Sequence, residues 1–335
     1  MIYFDHNATS PLHPAARDAW LIGCEKFSGN PSSPHRLGAR AEAALEDARS
    51  SLAKCLLCDQ AQIVWTSGAT ESINTVLHGF IDNGANEVWV SSIEHPAVLN
   101  TLKSFVPRNH RLIPVSGSGI VDLNWLRAEL ALRQPAFVVV MAANNETGVL
   151  QPWREILHLC QEWEVPFVCD ATQWIGRLPG AGLGECDFVA GSAHKFGGPK
   201  GVGFLKVSNR HPVKPLISGG AQQFGLRAGT ENVPGVLGMM AALEAREKAM
   251  TALDEKRQMQ SDFQTQLAAA IPELQIVGQD APRLWNTISV IMPEVDCRQR
   301  WVVKMDRFGF AVSTGSACSS GLEAPSRFEK RLLNN

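Results

Sequence analysis

Short runs of apolar residues without polar alternation recur along the first two thirds of this chain, and they limit its fold more than any other feature. The runs are IVWT (63–66), EVWVSS (87–92), FVVVMA (137–142), VPFVCD (165–170), DFVAGS (187–192) and VGFLKV (202–207). Strands that are buried on both faces, as in a parallel sheet covered by helices, have this composition. The pattern therefore predicts a largely parallel, buried sheet.

Helical spacing of apolar residues separates several of these runs. It is visible at 34–57, at 122–132 and at 152–163, the last of which opens with Pro152, where a first-turn proline is tolerated. Strands that alternate with helices indicate an α/β fold. We expect a large domain at 15–245.

The remaining residues predict a second, smaller domain of α+β type. After a helical stretch at 234–268, strand-like residues 285–292 precede a helical stretch at 296–309 and a strand-like run at 310–313. We assign residues 1–14 and 246–335 to this small domain.

Composition excludes several classes of protein. The chain has 335 residues with 31 Lys+Arg against 33 Asp+Glu, without a long run of either sign, which argues against direct nucleic-acid or membrane-surface binding. Its apolar runs are far too short to span a membrane, and the start has no secretory signal. Eight cysteines are too few for a disulfide framework, and the one CxxC, Cys55 and Cys58, lacks a second pair for zinc. We expect a cytoplasmic protein without a metal site.

Polar side chains follow the predicted strands, where open parallel sheets bind ligands. They are Thr70 in SGATES, where Ala69 offers its backbone N–H, then His95, Asn145, Asp170 and Gln173, and Ser192, His194 and Lys195. Each has an ordinary alternative explanation: Ser67 or Thr70 could cap the helix that follows, Asp170 could cap the next one, and His95 could be a core histidine. Together at one sheet edge they predict a polar pocket.

Lys195 is the residue of this set whose chemistry is most informative. A phosphate-binding loop of the P-loop type is excluded, because Gly201 follows Lys200 where Ser or Thr should bind magnesium. GVG alone is too weak for a dinucleotide site. We therefore interpret Lys195 as a Schiff-base lysine that holds pyridoxal phosphate, with Asp170 pairing with the pyridine nitrogen.

The other polar residues complete this hypothesis. His95 would lie flat against the cofactor ring, while Gln173 and Asn145 would hydrogen-bond the ring oxygen. The start of the helix at Ala69 suits a phosphate, because free backbone N–H groups and the helix dipole favour an anion there. The phosphate ligands would be Thr70, Ser192 and His194.

Cys318 differs from most other cysteines of the chain because it lies in STGSACSSG (313–321), among small hydroxyl residues and glycines. Free cysteine is usually a small buried hydrophobe. A thiol on a flexible segment is either a surface accident or a group that must move and react.

The motifs resemble a known family almost from end to end. YFDHNATSPLHP, TSGATES, EHPAVLNT, NNETGVLQP, CDATQ, SAHKFGGPKGVG, GLRAGTENVPG and STGSACSSG follow one another as in the NifS/IscS-like cysteine desulfurases of the class V aminotransferases. This resemblance implies a fold-type I pyridoxal-phosphate enzyme with a mostly parallel, seven-stranded sheet and a homodimeric assembly. It makes Lys195, His95 and Cys318 catalytic, and Thr230 a phosphate contact from the partner subunit.

The family's chemistry takes sulfur from L-cysteine, yields L-alanine, and leaves a persulfide on Cys318. A sulfur-acceptor protein, such as an iron–sulfur scaffold or a thiolation enzyme, would then receive the sulfur. The flexible surroundings of Cys318 agree with this role, because the loop must carry the sulfur outward.

Two departures keep alternatives open. Ala228 stands where the family usually has serine, and no residue matches the C-terminal arginine that binds the substrate carboxylate, so we expect a shortened small domain. The alternatives are a selenocysteine lyase, another fold-type I reaction, or a catalytically weak scaffold or sulfur relay that binds pyridoxal phosphate.

Overall fold

The computed structural model describes residues 1–82, 84, 87–106, 109–293 and 301–315. The described helices are α1 (Pro14–Lys26), α2 (Arg36–Leu56), α3 (Ala69–Asp82), α4 (Pro96–Phe105), α5 (Leu123–Leu132), α6 (Trp153–Glu162), α7 (Val233–Lys248), α8 (Leu253–Ala270) and α9 (Trp301–Arg307). The described strands are β1 (Ile2–Tyr3), β2 (Ile63–Thr66), β3 (Val88–Ser91), β4 (His110–Ile113), β5 (Phe137–Met141), β6 (Phe167–Asp170), β7 (Phe188–Ser192), β8 (Gly203–Lys206), β9 (Gln275–Ile276), β10 (Val290–Ile291) and β11 (Phe310–Ala311).

A seven-stranded sheet in the order β2-β8-β7-β6-β5-β3-β4 forms the centre of the molecule. Strands β3 to β7 are parallel to one another, whereas β8 runs antiparallel to both β2 and β7. The α/β fold class and the mostly parallel sheet are therefore confirmed. All the apolar runs noted in the sequence form strands of this sheet, and β4 is a strand that the apolar pattern did not reveal.

Side chains of the interior strand β5 alternate between two hydrophobic clusters, one on each face of the sheet. Val138 and Val140 pack in the cluster that contains residues of α2, α5, α6 and α7. Phe137 and Val139 pack in the cluster formed with α3 and α4. Burial on both faces explains why the strand sequence is continuously apolar rather than alternating.

The small elements differ from their predicted extents. The helical stretch at 234–268 is two helices, α7 and α8, joined by a 3₁₀ turn at Ala249–Ala252. The strand predicted over 285–292 is only Val290–Ile291, which pairs antiparallel with β9. Strand β1 pairs in parallel with β11, which brings the start of the chain beside residues 310–311.

The division into a large domain (15–245) and a small domain (1–14 and 246–335) stays a prediction. The pairing of β1 with β11 supports it, because this contact joins the two parts of the proposed small domain. Within the described ranges, no helix has both the length and the apolar composition needed to cross a membrane.

Candidate functional site

A cleft of about 1580 Å³ opens at the edge of the sheet where β6 and β7 end. Its wall includes most of the site residues that the sequence predicted: Ala69, Thr70, His95, Asn145, Asp170, Gln173, Ser192, His194 and Lys195. Two predicted residues are not among them. Cys318 lies outside the described residues, and Thr230 is exposed on the loop before α7.

The amine of Lys195 is held by the N-terminal segment of the chain. Lys195 ends the 3₁₀ turn Ala193–Lys195 that follows β7. Its Nζ donates hydrogen bonds to the backbone carbonyl oxygens of Asn7, at 2.6 Å, and Ala8, at 3.0 Å. The hydroxyl of Ser10 donates to the backbone carbonyl of Lys195 at 2.9 Å. The N-terminal segment therefore forms one wall of the site.

Asp170 is the last residue of β6, and its carboxylate is buried. Oδ1 accepts a hydrogen bond from the backbone N–H of Thr172 at 2.9 Å. Thr172 also lines the cleft, and its buried Oγ1 has no hydrogen-bond partner among the described residues. A buried hydroxyl of this kind is costly unless a ligand completes its hydrogen bonds.

His95 is the N-cap residue of α4, directly before Pro96. Its Nδ1 accepts the backbone N–H of Ala97 at 3.1 Å, which fixes the orientation of the ring. Burial lowers the pKa of His95, and the charge of Lys195 acts in the same direction, while Asp170 opposes both. A neutral, fixed imidazole is suited to lie against a flat ring.

The start of α3 offers backbone donors to an anion. Gly68, with φ +152°, packs so closely that a Cβ there would lie 3.3 Å from Oγ of Ser192. A Cβ at Gly203 would lie 2.5 Å from Cα of Gly68, so glycine lets β8 approach the turn. Glu71 in the first helical turn is paired with Arg227 at 3.0 Å, which offsets its negative charge beside the anion site.

His194 also lies in this part of the cleft. Its Nδ1 is 3.1 Å from Oγ1 of Thr9. Burial, followed by the charges of Lys195, Lys200 and Arg177, lowers the pKa of His194 to about 4. The ring is therefore neutral at neutral pH, and it can offer one N–H donor to a ligand.

Gln173 and Asn145 both contact Asn7, which the sequence analysis did not single out. Gln173 Nε2 donates to the backbone carbonyl of Asn7 at 3.0 Å, and Asn7 Nδ2 donates to the backbone carbonyl of Asn145 at 3.2 Å. The Asn7 side chain also bonds Thr287 Oγ1 at 2.9 Å. The N-terminal segment thus joins the polar groups of the sheet edge to residues near β10.

Glu94 is a second residue that sequence reasoning missed. It is fully buried next to His95, and Oε1 accepts hydrogen bonds from the Ser91 hydroxyl and from the backbone N–H of Met141, the latter at 2.8 Å. Oε2 has no hydrogen-bond partner among the described residues. Burial raises the pKa of Glu94 to about 8, against the hydrogen bonds from Ser91 and Met141. A glutamate beside a histidine carries no sequence signal of such burial.

These side chains fit pyridoxal phosphate in their chemistry. An amine lies beside a buried carboxylate and a neutral imidazole, and a helix start with adjacent hydroxyl and imidazole groups suits a phosphate. The unpaired hydroxyl of Thr172 leaves room for one more hydrogen bond. The fold and the site together are those of the fold-type I pyridoxal-phosphate enzymes.

Comparison with known proteins identifies the family. Residues 2–330 match the family described as aminotransferase class-V. A cysteine desulfurase from Klebsiella pneumoniae is 36% identical over 335 residues, which cover 99% of this chain and 84% of the relative. The structure of a NifS-like protein from Rickettsia africae matches with a TM-score of 0.87 and 31% identity, over 98% of this chain and 92% of that one.

A third structure, described as SspA in complex with cysteine, matches with a TM-score of 0.81 and 27% identity over 99% of this chain and 94% of that chain. The chain therefore belongs to the class V aminotransferase family, within its NifS/IscS-like cysteine desulfurase group. The resemblance stated from the sequence motifs is confirmed.

Proposed function

We propose that this protein is a cysteine desulfurase that uses pyridoxal phosphate to take sulfur from L-cysteine, forming L-alanine. The observation that carries the proposal is the convergence of Lys195, Asp170 and His95 in one cleft at the carboxyl edge of the sheet. When bound, pyridoxal phosphate supplies an aldehyde that condenses with amines and a ring that accepts electrons from the substrate carbon.

Each site residue then has a defined task. The Lys195 amine would hold the cofactor and exchange a proton with the α-carbon of the substrate. Asp170 would keep the ring nitrogen protonated, and the neutral imidazole of His95 would lie against the ring. Gln173 and Asn145 hold the ring oxygen.

The phosphate of the cofactor would be held by a separate set of groups. These are the backbone of Ala69, the side chains of Thr70, Ser192 and His194, and Thr230 from the partner subunit of a homodimer. The exposure of Thr230 on this chain is compatible with a contribution to a partner's site.

Cys318 would receive the sulfur. Its sulfur forms an S–S bond with the sulfur of the substrate, while the C–S bond of cysteine breaks. The electron pair of the broken C–S bond stays on the β-carbon of the substrate, which gains a proton and becomes the methyl group of alanine. The products are alanine and a persulfide on Cys318, without an external oxidant or reductant.

The alternatives receive less support. The Klebsiella relative is named a cysteine desulfurase, and the SspA structure contains cysteine, so both favour cysteine over selenocysteine. Another fold-type I reaction, such as transamination, needs no cysteine nucleophile such as Cys318. A weak scaffold would not require the proton-transferring lysine, carboxylate and imidazole to meet in one cleft.

The surroundings of the reaction are also part of the proposal. We place the protein in the cytoplasm, where thiols stay reduced, and we note that Cys24, Cys55, Cys58, Cys160, Cys169 and Cys186 are free. The sulfur would pass to an acceptor protein, an iron–sulfur scaffold or a thiolation enzyme, and iron–sulfur cluster assembly is one pathway that it would serve.

Mapping the persulfide tests this function. The purified protein is incubated with L-cysteine, alkylated, digested and analysed by mass spectrometry. We expect the extra sulfur on Cys318 and its loss in Cys318→Ser. The control is Cys58→Ser, because burial raises the pKa of Cys58 to about 11 and leaves little reactive thiolate. Extra sulfur on Cys58, or none on any cysteine, would contradict the proposed route.

A further inference from the structure

Arg177 lies beside the site and forms hydrogen bonds with four residues from different parts of the chain. Its guanidinium donates to the backbone carbonyl of His6 at 2.9 Å and, through the same nitrogen, to the backbone carbonyl of Lys195 at 3.4 Å. Nη1 donates to both the backbone carbonyl, at 3.2 Å, and the side-chain Oε1 of Gln173. The indole N–H of Trp285 donates to the Arg177 carbonyl at 3.1 Å.

Burial of this cation is costly, and no carboxylate among the described residues offsets the cost. Arg177 is 5% exposed, and no Asp or Glu in the described ranges forms an ion pair with it. Burial, with a smaller contribution from Arg246, lowers the pKa of Arg177 to about 9, which leaves it protonated at neutral pH. A cation that is buried without an opposite charge depends on hydrogen bonds to compensate for its lost hydration.

The hydrogen bond to Gln173 fixes the direction of that amide. A guanidinium can only donate, so the group of Gln173 that faces Arg177 must be the acceptor Oε1. Nε2 is then forced to the opposite side, where it donates to the carbonyl of Asn7 at the wall of the cleft. Without Arg177, the two ends of the amide could exchange places.

We propose that Arg177 is a positioning residue that holds Gln173 as a hydrogen-bond donor toward the ring oxygen of the cofactor. The inference rests on the proposed function, because it needs pyridoxal phosphate in this cleft. The hydrogen bonds of the guanidinium to the His6 and Lys195 carbonyl oxygens hold Arg177 itself in place, so that its other nitrogen faces Gln173.

The test compares Arg177→Met with Arg177→Lys, which keeps the charge but not the fork of donors. Arg49→Met is the matched control, because Arg49 is also a buried arginine, 3% exposed, but it contacts Glu46 and the Ile63 carbonyl instead of the site. Three quantities are measured on each cofactor-loaded protein: the unfolding midpoint, the dissociation constant of pyridoxal phosphate, and the pH midpoint of the cofactor's visible absorbance.

We expect Arg177→Met to raise the dissociation constant about tenfold, the size typical of a lost hydrogen bond to a charged group. The pH midpoint of absorbance should rise, because the ring oxygen loses a donor that stabilises its ionised form. Arg177→Lys should lie between the wild type and Arg177→Met, and Arg49→Met should change only the unfolding midpoint.

A double-mutant cycle with Gln173→Leu tests whether Arg177 acts through Gln173. We expect the double variant to equal Gln173→Leu alone in dissociation constant and in absorbance midpoint. Additive effects, or an Arg177→Met protein that changes only in unfolding midpoint, would overturn the inference. If Arg177→Met does not fold, Arg177→Lys with wild-type absorbance and affinity overturns it equally. A wild-type protein that binds no pyridoxal phosphate would instead refute the proposed function.

Discussion

The amine nitrogen of Lys195 lies 2.6 Å from the backbone carbonyl oxygen of Asn7, although the two residues are 188 positions apart in the chain. Asn7 also receives the amide N–H of Gln173 and bonds Thr287. One residue of the N-terminal segment thus contacts the amine, the sheet edge and the residues before β10. The site is assembled from distant parts of the chain around that segment.

The position of Lys195 leads to a labelling prediction. If its amine holds the cofactor, borohydride reduction of the loaded protein should attach a pyridoxyl group to the peptide that contains Lys195. Lys195→Ala should lose the attachment, whereas Lys200→Ala, which changes another lysine of the cleft wall, should keep it. Peptide mapping by mass spectrometry gives the answer, and a label on Lys200 would assign the wrong lysine to the cofactor.

Asp170→Asn should slow alanine formation by at least about a hundredfold, because the ring nitrogen loses the carboxylate that keeps it protonated. The amide oxygen can still accept the Thr172 N–H, so the local fold should survive. Initial rates are compared at equal cofactor occupancy.

The matched control is Asp187→Asn. Asp187 is also buried, but it pairs with Arg210 and accepts the N–H of Phe167 at the opposite edge of the sheet. This variant should lose stability while its rate per folded molecule stays near that of the wild type. An Asp170→Asn protein with a near-normal rate would leave that carboxylate only a structural role.

Because Glu94 is buried, we expect the free energy of unfolding to depend on pH. Burial raises its pKa to about 8 in the folded protein, against an ordinary value of 4.5. Between pH values near these two pKa values, Glu94 is protonated in the folded protein and ionised in the unfolded chain. The free energy of unfolding therefore falls as pH rises through this window. Glu94→Gln removes this loss.

The stability difference between Glu94→Gln and the wild type should therefore shift in favour of the variant by up to about 1.4 kcal/mol per pH unit across this window. Denaturant unfolding at a series of pH values measures it. Glu25→Gln, a change on the exposed side of α1, serves as the control and should give a nearly flat difference. A flat difference for Glu94→Gln would mean that this carboxyl is ionised in the folded protein.

A pair of glycines tests how the turn before Arg177 is packed. Gly176 and Gly225 share a φ of +75°, but a Cβ at Gly176 would lie 2.4 Å from Cβ of Phe196, whereas none of the described atoms lies within 4 Å of a Cβ at Gly225. Gly225→Ala should cost about 1 kcal/mol from backbone strain alone. Gly176→Ala should cost about 1–3 kcal/mol more, because Phe196 must shift.

Thermal or denaturant unfolding compares the two variants, and the difference between them is the informative quantity. Equal losses would show that the turn can move away from Phe196, which is adjacent to Lys195. In that case the backbone at Gly176, directly before Arg177, would be less constrained than its contact with Phe196 indicates.

Most strands of the sheet could be predicted, because a strand that is buried on both faces consists of consecutive apolar residues, as in β5. Strand β4 was missed for the converse reason. Among the described strands it pairs with β3 alone, at the edge of the sheet. It begins with His110 and Arg111, and polar residues of this kind are also typical of loops. An edge strand needs less apolar sequence than a central one.

Some residues of the candidate site could also be predicted from the sequence, and others could not. Asp170 and Lys195 could be predicted, because the carboxyl ends of neighbouring parallel strands must meet at one edge. Asn7 and Arg177 could not, because their roles arise from contacts between residues more than 160 positions apart in the chain. The roles of Cys318 and Thr230 stay predictions. Cys318 lies outside the described residues, and the role of Thr230 requires a partner subunit.

The most direct measurement of the central claim is the amount of alanine formed from L-cysteine by the cofactor-loaded protein. The account predicts alanine in a molar ratio of one to the sulfur released or bound on the protein, repeated turnover with a thiol reductant, and no alanine from Lys195→Ala. A wild-type protein that carries its cofactor yet forms no alanine from L-cysteine would contradict the claim that this cleft is the active site of a cysteine desulfurase.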